Sequence, residues 1–303
     1  MKLRSYLLAG LLVLAAASTF AAEKPIRVLI IGGQNNHDWK TTTPLMKGVL
    51  DKAGHFQTTV DNTPEKDAPQ AEWDAWSPKF REFNCVVLNY NDNGMKCPMW
   101  SEQVKKDFVE YVRGGGGVVA IHAANNSFSG WKEYEQMIGL LWRWWGNGYS
   151  LYVDDDGKVV REEPGQGRQM GHGDWAGWYA WTMTVRDTEH PITQGMPVHW
   201  LHQKDELYHG QRGPAENVHI LLTAYSEPGG KHKGTGKNEP IVWWVPYGKG
   251  RVVTNVMGHD LNGMKCVGFK LLLLRACEWA ATGRCSIPIP PNFPNSEKTS
   301  VEP

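Results

Sequence analysis

A nearly continuous apolar run, residues 26–31 (Ile-Arg-Val-Leu-Ile-Ile), stops at Gly32 and Gly33. A short run of this kind fits a strand covered on both faces, the habit of a parallel sheet. The next segments set the class. Residues 43–53 read as a helix, with Pro44 in its first turn and Gly54 just past its end. Strand candidates follow at 56–60 and 85–88. Ser101 then caps a helix running to Val112, in which Val104, Phe108, Val109 and Val112 recur at helical spacing. The glycines at 114–117 break that helix, and residues 118–121 (Val-Val-Ala-Ile) form another strand. This alternation predicts an α/β fold, a central, mainly parallel sheet flanked by helices on both faces. In such sheets ligands sit at the C-terminal ends of the strands.

The second half is less regular. Strands are expected at 181–185, 219–224, 241–245 and 251–256, and a closing helix at 264–281. The Pro- and Asn-rich tail from Ile287 is expected to be loose. Long Gly- and Trp-rich segments, 141–148 and 165–178, separate these elements. A length of 303 residues suits one large domain, here 22–303. Residues 1–21 read as a signal peptide: Lys2 and Arg4 precede an apolar stretch at 6–17, and small residues lead to cleavage after Ala21 or Ala22. That stretch is too short for a comfortable membrane span, so the mature protein is expected to be exported, periplasmic or extracellular.

Charge narrows the partners. Lys+Arg and Asp+Glu each number 32, leaving no basic excess to track a phosphate backbone and excluding a general nucleic-acid binder. Five cysteines (Cys85, Cys97, Cys266, Cys277 and Cys285) form no CxxC, which disfavours a zinc ribbon or a thioredoxin-like centre. Cys85 reads as core, and pairing of Cys277 with Cys285 is one open arrangement.

Several motifs, in order, resemble the trehalose-utilisation (ThuA-like) family. They are residues 28–33 (Val-Leu-Ile-Ile-Gly-Gly), Asn36-His37-Asp38, residues 114–122 (four glycines, then Val-Val-Ala-Ile-His), and His190-Pro-Ile-Thr-Gln-Gly195. Asp205-Glu-Leu-Tyr208, Gly248-Lys-Gly-Arg-Val-Val253 and Gly258-His259-Asp260 complete the set. The resemblance implies a class I glutamine amidotransferase-like, flavodoxin-like scaffold and a link to carbohydrate use. Related secreted copies accompany sugar oxidoreductases. True amidotransferases carry a cysteine nucleophile on the sharp turn after the Gly-rich strand. The matching stretch here is Ala120-Ile-His-Ala-Ala124, with His122 in the thiol's place. No residue of that turn forms an acyl-enzyme, so ordinary glutamine hydrolysis is excluded.

His122 offers a nitrogen for proton transfer or for a metal. His37 and Asp38 follow the first strand's glycines, and His259 and Asp260 follow the 251–256 strand through Gly258. All three histidines are expected at one sheet edge, with Asp38 near the substrate and Asp260 orienting His259. In Asp205-Glu-Leu-Tyr208, strand alternation sets Glu206 and Tyr208 on one face and Asp205 on the other. Glu206 is taken as a catalytic partner of His122, and Tyr208 and Asp205 as substrate contacts. His172, in a Gly-rich loop, reads as a loop residue rather than a site residue.

HExxH is absent, so a metal site would be assembled from separate loops by His37, His122 and His259. A mixture of imidazole and carboxylate suits Zn or Mn rather than Ca. Tryptophan (15) outnumbers phenylalanine (8), and Trp142, Trp144, Trp145, Trp175, Trp178 and Trp181 crowd one region among glycines. Flat indoles pack against the CH faces of sugar rings, which points to a small-molecule carbohydrate held by Trp145 and Trp178. These features, with the resemblance, predict an exported carbohydrate-processing enzyme acting on glycosides, disaccharides or their 3-keto derivatives. The alternative is a non-catalytic carbohydrate-binding protein that uses the same tryptophans.

Overall fold

The structure, a computed structural model, describes residues 24–92, 100–173, 179–229 and 233–303. Residues 1–21, read above as a signal peptide, and Trp178 therefore lie outside the described residues. The first half runs β1 (Ile26–Gly32), α1 (Trp39–Lys52), β2 (Phe56–Asn62), α2 (Gln70–Ala75), β3 (Cys85–Leu88), α3 (Glu102–Arg113), β4 (Gly117–Ile121) and α4 (Lys132–Ile138). The second half adds β5 (Tyr149–Val153), β6 (Val159–Glu162), β7 (Gly171–Gly173), β8 (Thr182–Val185), β9 (His199–Leu201), β10 (Leu207–His209), β11 (Arg212–Gly213), β12 (His219–Tyr225), β13 (Asn238–Tyr247) and β14 (Gly250–Asn255). It closes on α5 (Leu261–Met264) and α6 (Val267–Thr282).

Five strands, in the order β2-β1-β3-β4-β14, are parallel neighbours. Their register aligns Val60, Ile30, Val87, Val119 and Val253 in one row across the sheet. Branched side chains suit this pleated surface, and each one fully removed from water contributes roughly 1.5–3 kcal/mol. The sheet then continues through antiparallel β13, β12, β8 and β9, with β5, β6 and β11 attached at its side. The α/β class expected from the sequence is therefore present, with parallel pairing confined to one half of the sheet. A separate two-stranded ribbon pairs β10 with β7.

Helices α1, α5 and α6 pack together on one face. Across the sheet, Phe108 of α3 and Tyr134 of α4 share an aromatic cluster with Trp131 and Phe128. The glycines before β4 have a packing reason. A Cβ on Gly117 would lie 2.5 Å from the carbonyl carbon of Ala280 in α6, so only glycine lets helix and strand approach this closely. Many tryptophans serve as core: Trp73, Trp100, Trp200 and Trp243 are fully buried. No helix among the described residues is long and apolar enough to cross a membrane.

Three local expectations are corrected. Helix α1 begins at Trp39, so Pro44 lies inside it rather than in its first turn. The earlier start is supported by the Asp38 carbonyl, which accepts the N–H groups of Thr41 and Thr42. The C-terminal tail is docked, not loose. Val267 N–H donates to Ser300 O at 2.9 Å, Glu302 N–H to Lys265 O at 3.0 Å, and Leu201 N–H to Asn295 O at 2.8 Å. Finally, Cys277 and Cys285 are both free thiols. Cys285 donates to the Arg275 carbonyl at 3.4 Å, and Cys85 and Cys266 are free as well.

Candidate active site

The end of β4 is an elbow. The strand is fully buried to Ile121, and His122 then takes a left-handed conformation (φ +46°) before a 3-10 turn over His122–Asn126. For a residue with a Cβ this costs about 1–2 kcal/mol, and surrounding contacts must hold it. His122 Nδ1 lies 2.7 Å from the Val256 carbonyl, and the Tyr208 ring packs 4.4 Å from the imidazole. A carbonyl only accepts, so Nδ1 carries a hydrogen, and in the neutral ring Nε2 is a lone pair.

The three histidines that follow β1, β4 and β14 meet at one edge of the sheet. The His37 ring is 4.7 Å from His122 and 4.5 Å from His259, and His122 and His259 are 5.5 Å apart. Glu206, buried ahead of β10, reaches into the same cluster. Its Oε2 is 3.1 Å from His122 Nε2 and 4.0 Å from His259 Nε2, while its Oε1 is 3.3 Å from His172 Nε2. His172, read from sequence as a loop residue, is thus a member of the site. Its strand β7 pairs with β10 so that His172 lies opposite Tyr208.

Electrostatics separate these groups. Burial, followed by the neighbouring His122 and His259, lowers His37 to about 2, so its ring is neutral at ordinary pH. At His259 burial acts downward, but the Asp260 and Glu206 carboxylates outweigh it and raise the ring above its usual value. Burial also dominates at Tyr208, and with Glu206 and Asp205 beside it the phenol is held well above its usual range and stays protonated.

Asp205 corrects an expectation. It was assigned to the substrate, yet its side chain is fully buried and both oxygens are occupied. Oδ2 accepts the Gly258 N–H at 2.6 Å and lies 2.9 Å from His202 Nε2; Oδ1 accepts the N–H groups of His259 at 3.0 Å and Glu206 at 2.8 Å. Asp205 therefore positions Glu206 and His259, with both its oxygens turned to these internal donors. His202, with Cys266 and Asp205 outweighing the effect of burial, is raised to about 9 and pairs with it as a cation. Asp38 precedes α1, is exposed, and accepts a hydrogen bond from Thr41 Oγ1 at 2.8 Å.

The aromatic wall also differs in detail. Trp142, not singled out from the tryptophan-rich segment, packs 4.4 Å from Tyr208 and stacks 6.0 Å from His172. Trp145 is 41% exposed further along the same loop, and Trp181 belongs to the core. Among the described residues one group has metal-ligand spacing: His37, Glu206 and His259 offer donor atoms within 4.8 Å of one another.

Fold and site together define an α/β scaffold whose elbow after β4 carries an imidazole, with two further histidines and a buried glutamate beside it. The family described as trehalose utilisation, ThuA, matches residues 27–280, and the chain belongs to it. The family is associated with trehalose utilisation and carbohydrate metabolism. A solved ThuA-like protein from Parabacteroides merdae ATCC 43184 is 37% identical, with a TM-score of 0.83 over 92% of this chain and 98% of that one. A ThuA-like protein from Bacteroides uniformis ATCC 8492, 19% identical with a TM-score of 0.57, covers 86% of this chain and 93% of its own and shares the fold. Among curated proteins no sequence match is found.

Proposed function

We propose that this protein is an exported enzyme that processes a disaccharide or glycoside bearing a keto group, with His122 as the proton-transferring residue and Glu206 as its partner. The observation that carries this reading is the pairing of His122 Nε2 with Glu206 Oε2 at 3.1 Å, inside a histidine cluster beside the Trp142–Tyr208 rings. A carbon-bound hydrogen next to a ketone is acidic enough for an imidazole or carboxylate to remove. Movement of that proton begins both an isomerisation of the keto group and a loss of the glycosidic oxygen. The fixed tautomer of His122 supplies the accepting lone pair, and the indole and phenol rings offer a flat apolar face to a pyranose. His259, one-quarter exposed in its side chain, lies on the solvent side of the cluster, where a ligand enters.

The test is proton exchange. A 3-keto disaccharide incubated with the protein in D2O should take up deuterium next to the keto group, followed by NMR. His122→Ala should abolish the exchange while leaving the melting temperature within a few degrees. Sugar binding without exchange or turnover would favour the non-catalytic carbohydrate-binding reading instead.

A further inference from the structure

We propose that His37, His259 and Glu206 together hold one divalent transition-metal ion, of the Zn or Mn class. This rests on the same cluster as the proposed acid–base site and refines its division of labour. Three independent features of the geometry point to it.

The first is spacing. The three donors come from loops after β1 and β14 and from the segment before β10, and all lie within 4.8 Å of one another. Two imidazoles and one carboxylate form a set that transition metals accept, whereas calcium asks for six to eight oxygens.

The second is the outer partners of the rings. His37 Nδ1 lies 3.2 Å from Asn35 Oδ1, which also accepts the His37 N–H at 3.0 Å. The Asn35 amide orientation is set by its Nδ2, which donates to the Asn89 carbonyl at 3.2 Å. His37 Nδ1 is therefore the protonated nitrogen, and its Nε2 is a lone pair. At His259, Nδ1 faces the Asp260 carboxylate at 3.9 Å and Nε2 faces Glu206. At His37, an Nδ1 held by an oxygen leaves Nε2 as the donor atom, the arrangement that orients a metal-binding histidine.

The third is burial. The Glu206 side chain is only 7% exposed, with His122 Nε2 at 3.1 Å from its Oε2 and His259 Nε2 at 4.0 Å. A buried carboxylate calls for positive charge beside it, and a cation on Glu206 supplies that charge. Glu206 then anchors the metal, and the His122 lone pair remains for the substrate proton. The metal would polarise a keto oxygen as a Lewis acid. The Asp205 carboxylate, which holds the backbone of both Glu206 and His259, keeps two of the three donors in register.

The test uses the full mature chain, stripped with a chelator, dialysed, and titrated calorimetrically with Zn2+ and separately with Mn2+. One ion per chain is expected for at least one of them, with a rise in melting temperature. His37→Ala, His259→Ala and the shape-preserving Glu206→Gln should each weaken binding by more than about a hundredfold, beyond what loss of an outer partner produces. His219→Ala, at an exposed residue stacked on Trp244 at the start of β12, should leave binding unchanged. Circular dichroism confirms that each variant is folded, and the three ligand variants serve as mutual checks. Absence of one-to-one binding for both ions, or binding unaltered in the folded ligand variants, would overturn the proposal. Because no sugar is present, that result leaves the exchange assay to judge the acid–base reading separately.

Discussion

Replacing Asp205 with asparagine changes one atom and should cost the protein much of its stability. All four groups around the carboxylate are donors: the N–H groups of Gly258, His259 and Glu206, and Nε2 of His202. An amide offers only one accepting oxygen, so its NH2 must face two of those donors. Hydrogen bonds to a charged group contribute about 1.5–3 kcal/mol each, and losing two gives roughly 3–5 kcal/mol, the range for breaking a buried ion pair. For a chain of this length that lowers Tm by about 6–10 °C. The effect should depend on pH. His202 is raised from 6.5 to about 9, so its contribution is complete below pH 6.5 and disappears as pH rises through about 9. Asp205, lowered from 3.8 by His202 and the Gly258 N–H against the opposing effect of burial, contributes above pH 3.8 and is lost as pH falls through its depressed value. The gap between native protein and Asp205→Asn should therefore be widest between about pH 4 and 6.5 and narrow above pH 9. Thermal melts at pH 6 and pH 10 measure it. A drop of less than about 2 °C at pH 6, or the same drop at both pH values, would refute the assignment of Asp205 as a charged clamp.

Three other perturbations follow from the structure. Trp142→Ala should weaken sugar binding by about tenfold, the scale of one aromatic stacking contact, with a smaller effect from Trp145→Ala; tryptophan fluorescence titration reads both. Gly117→Ala forces a Cβ to within 2.5 Å of the Ala280 backbone and should cost about 1–3 kcal/mol in urea unfolding; a neutral result would show that α6 shifts freely. Intact-mass analysis of protein from its native host should place the mature N-terminus at Ala22 or Glu23, and a retained Met1 would remove the export reading.

The parts of the site that could be read in advance were those tied to strand ends. His37, His122 and His259 each follow a parallel strand by a short turn, and parallel strands deliver their C-terminal ends to one edge whatever their separation in sequence. Glu206 could be read from alternation within its motif, and the same alternation set Asp205 on the other face, where it clamps backbone instead of meeting a sugar. His172 and Trp142 were hidden for a physical reason. The β7–β10 ribbon has three residues on each side, too few for a period, and Trp142 is placed by a single bridge between Leu141 and Arg212. In the second half, single strands could be recognised but not their order, because antiparallel partners are chosen by side-chain fit across the sheet rather than by any local pattern. The docked tail was illegible for a similar reason. Its Pro-rich composition says nothing of the backbone groups at the start of α6 that it satisfies.

The clamp also bears on how the site can move. A single carboxylate joins the turn that carries His259 to the segment ahead of β10 that carries Glu206, although more than fifty residues separate them along the chain. These two walls cannot swing apart independently; they translate or tilt as one block. His37, on the loop after β1 and tied to Asn35 instead, belongs to a different block. Any opening of the site is therefore expected to change the distance between His37 and the other two residues, while the His259–Glu206 spacing stays constant.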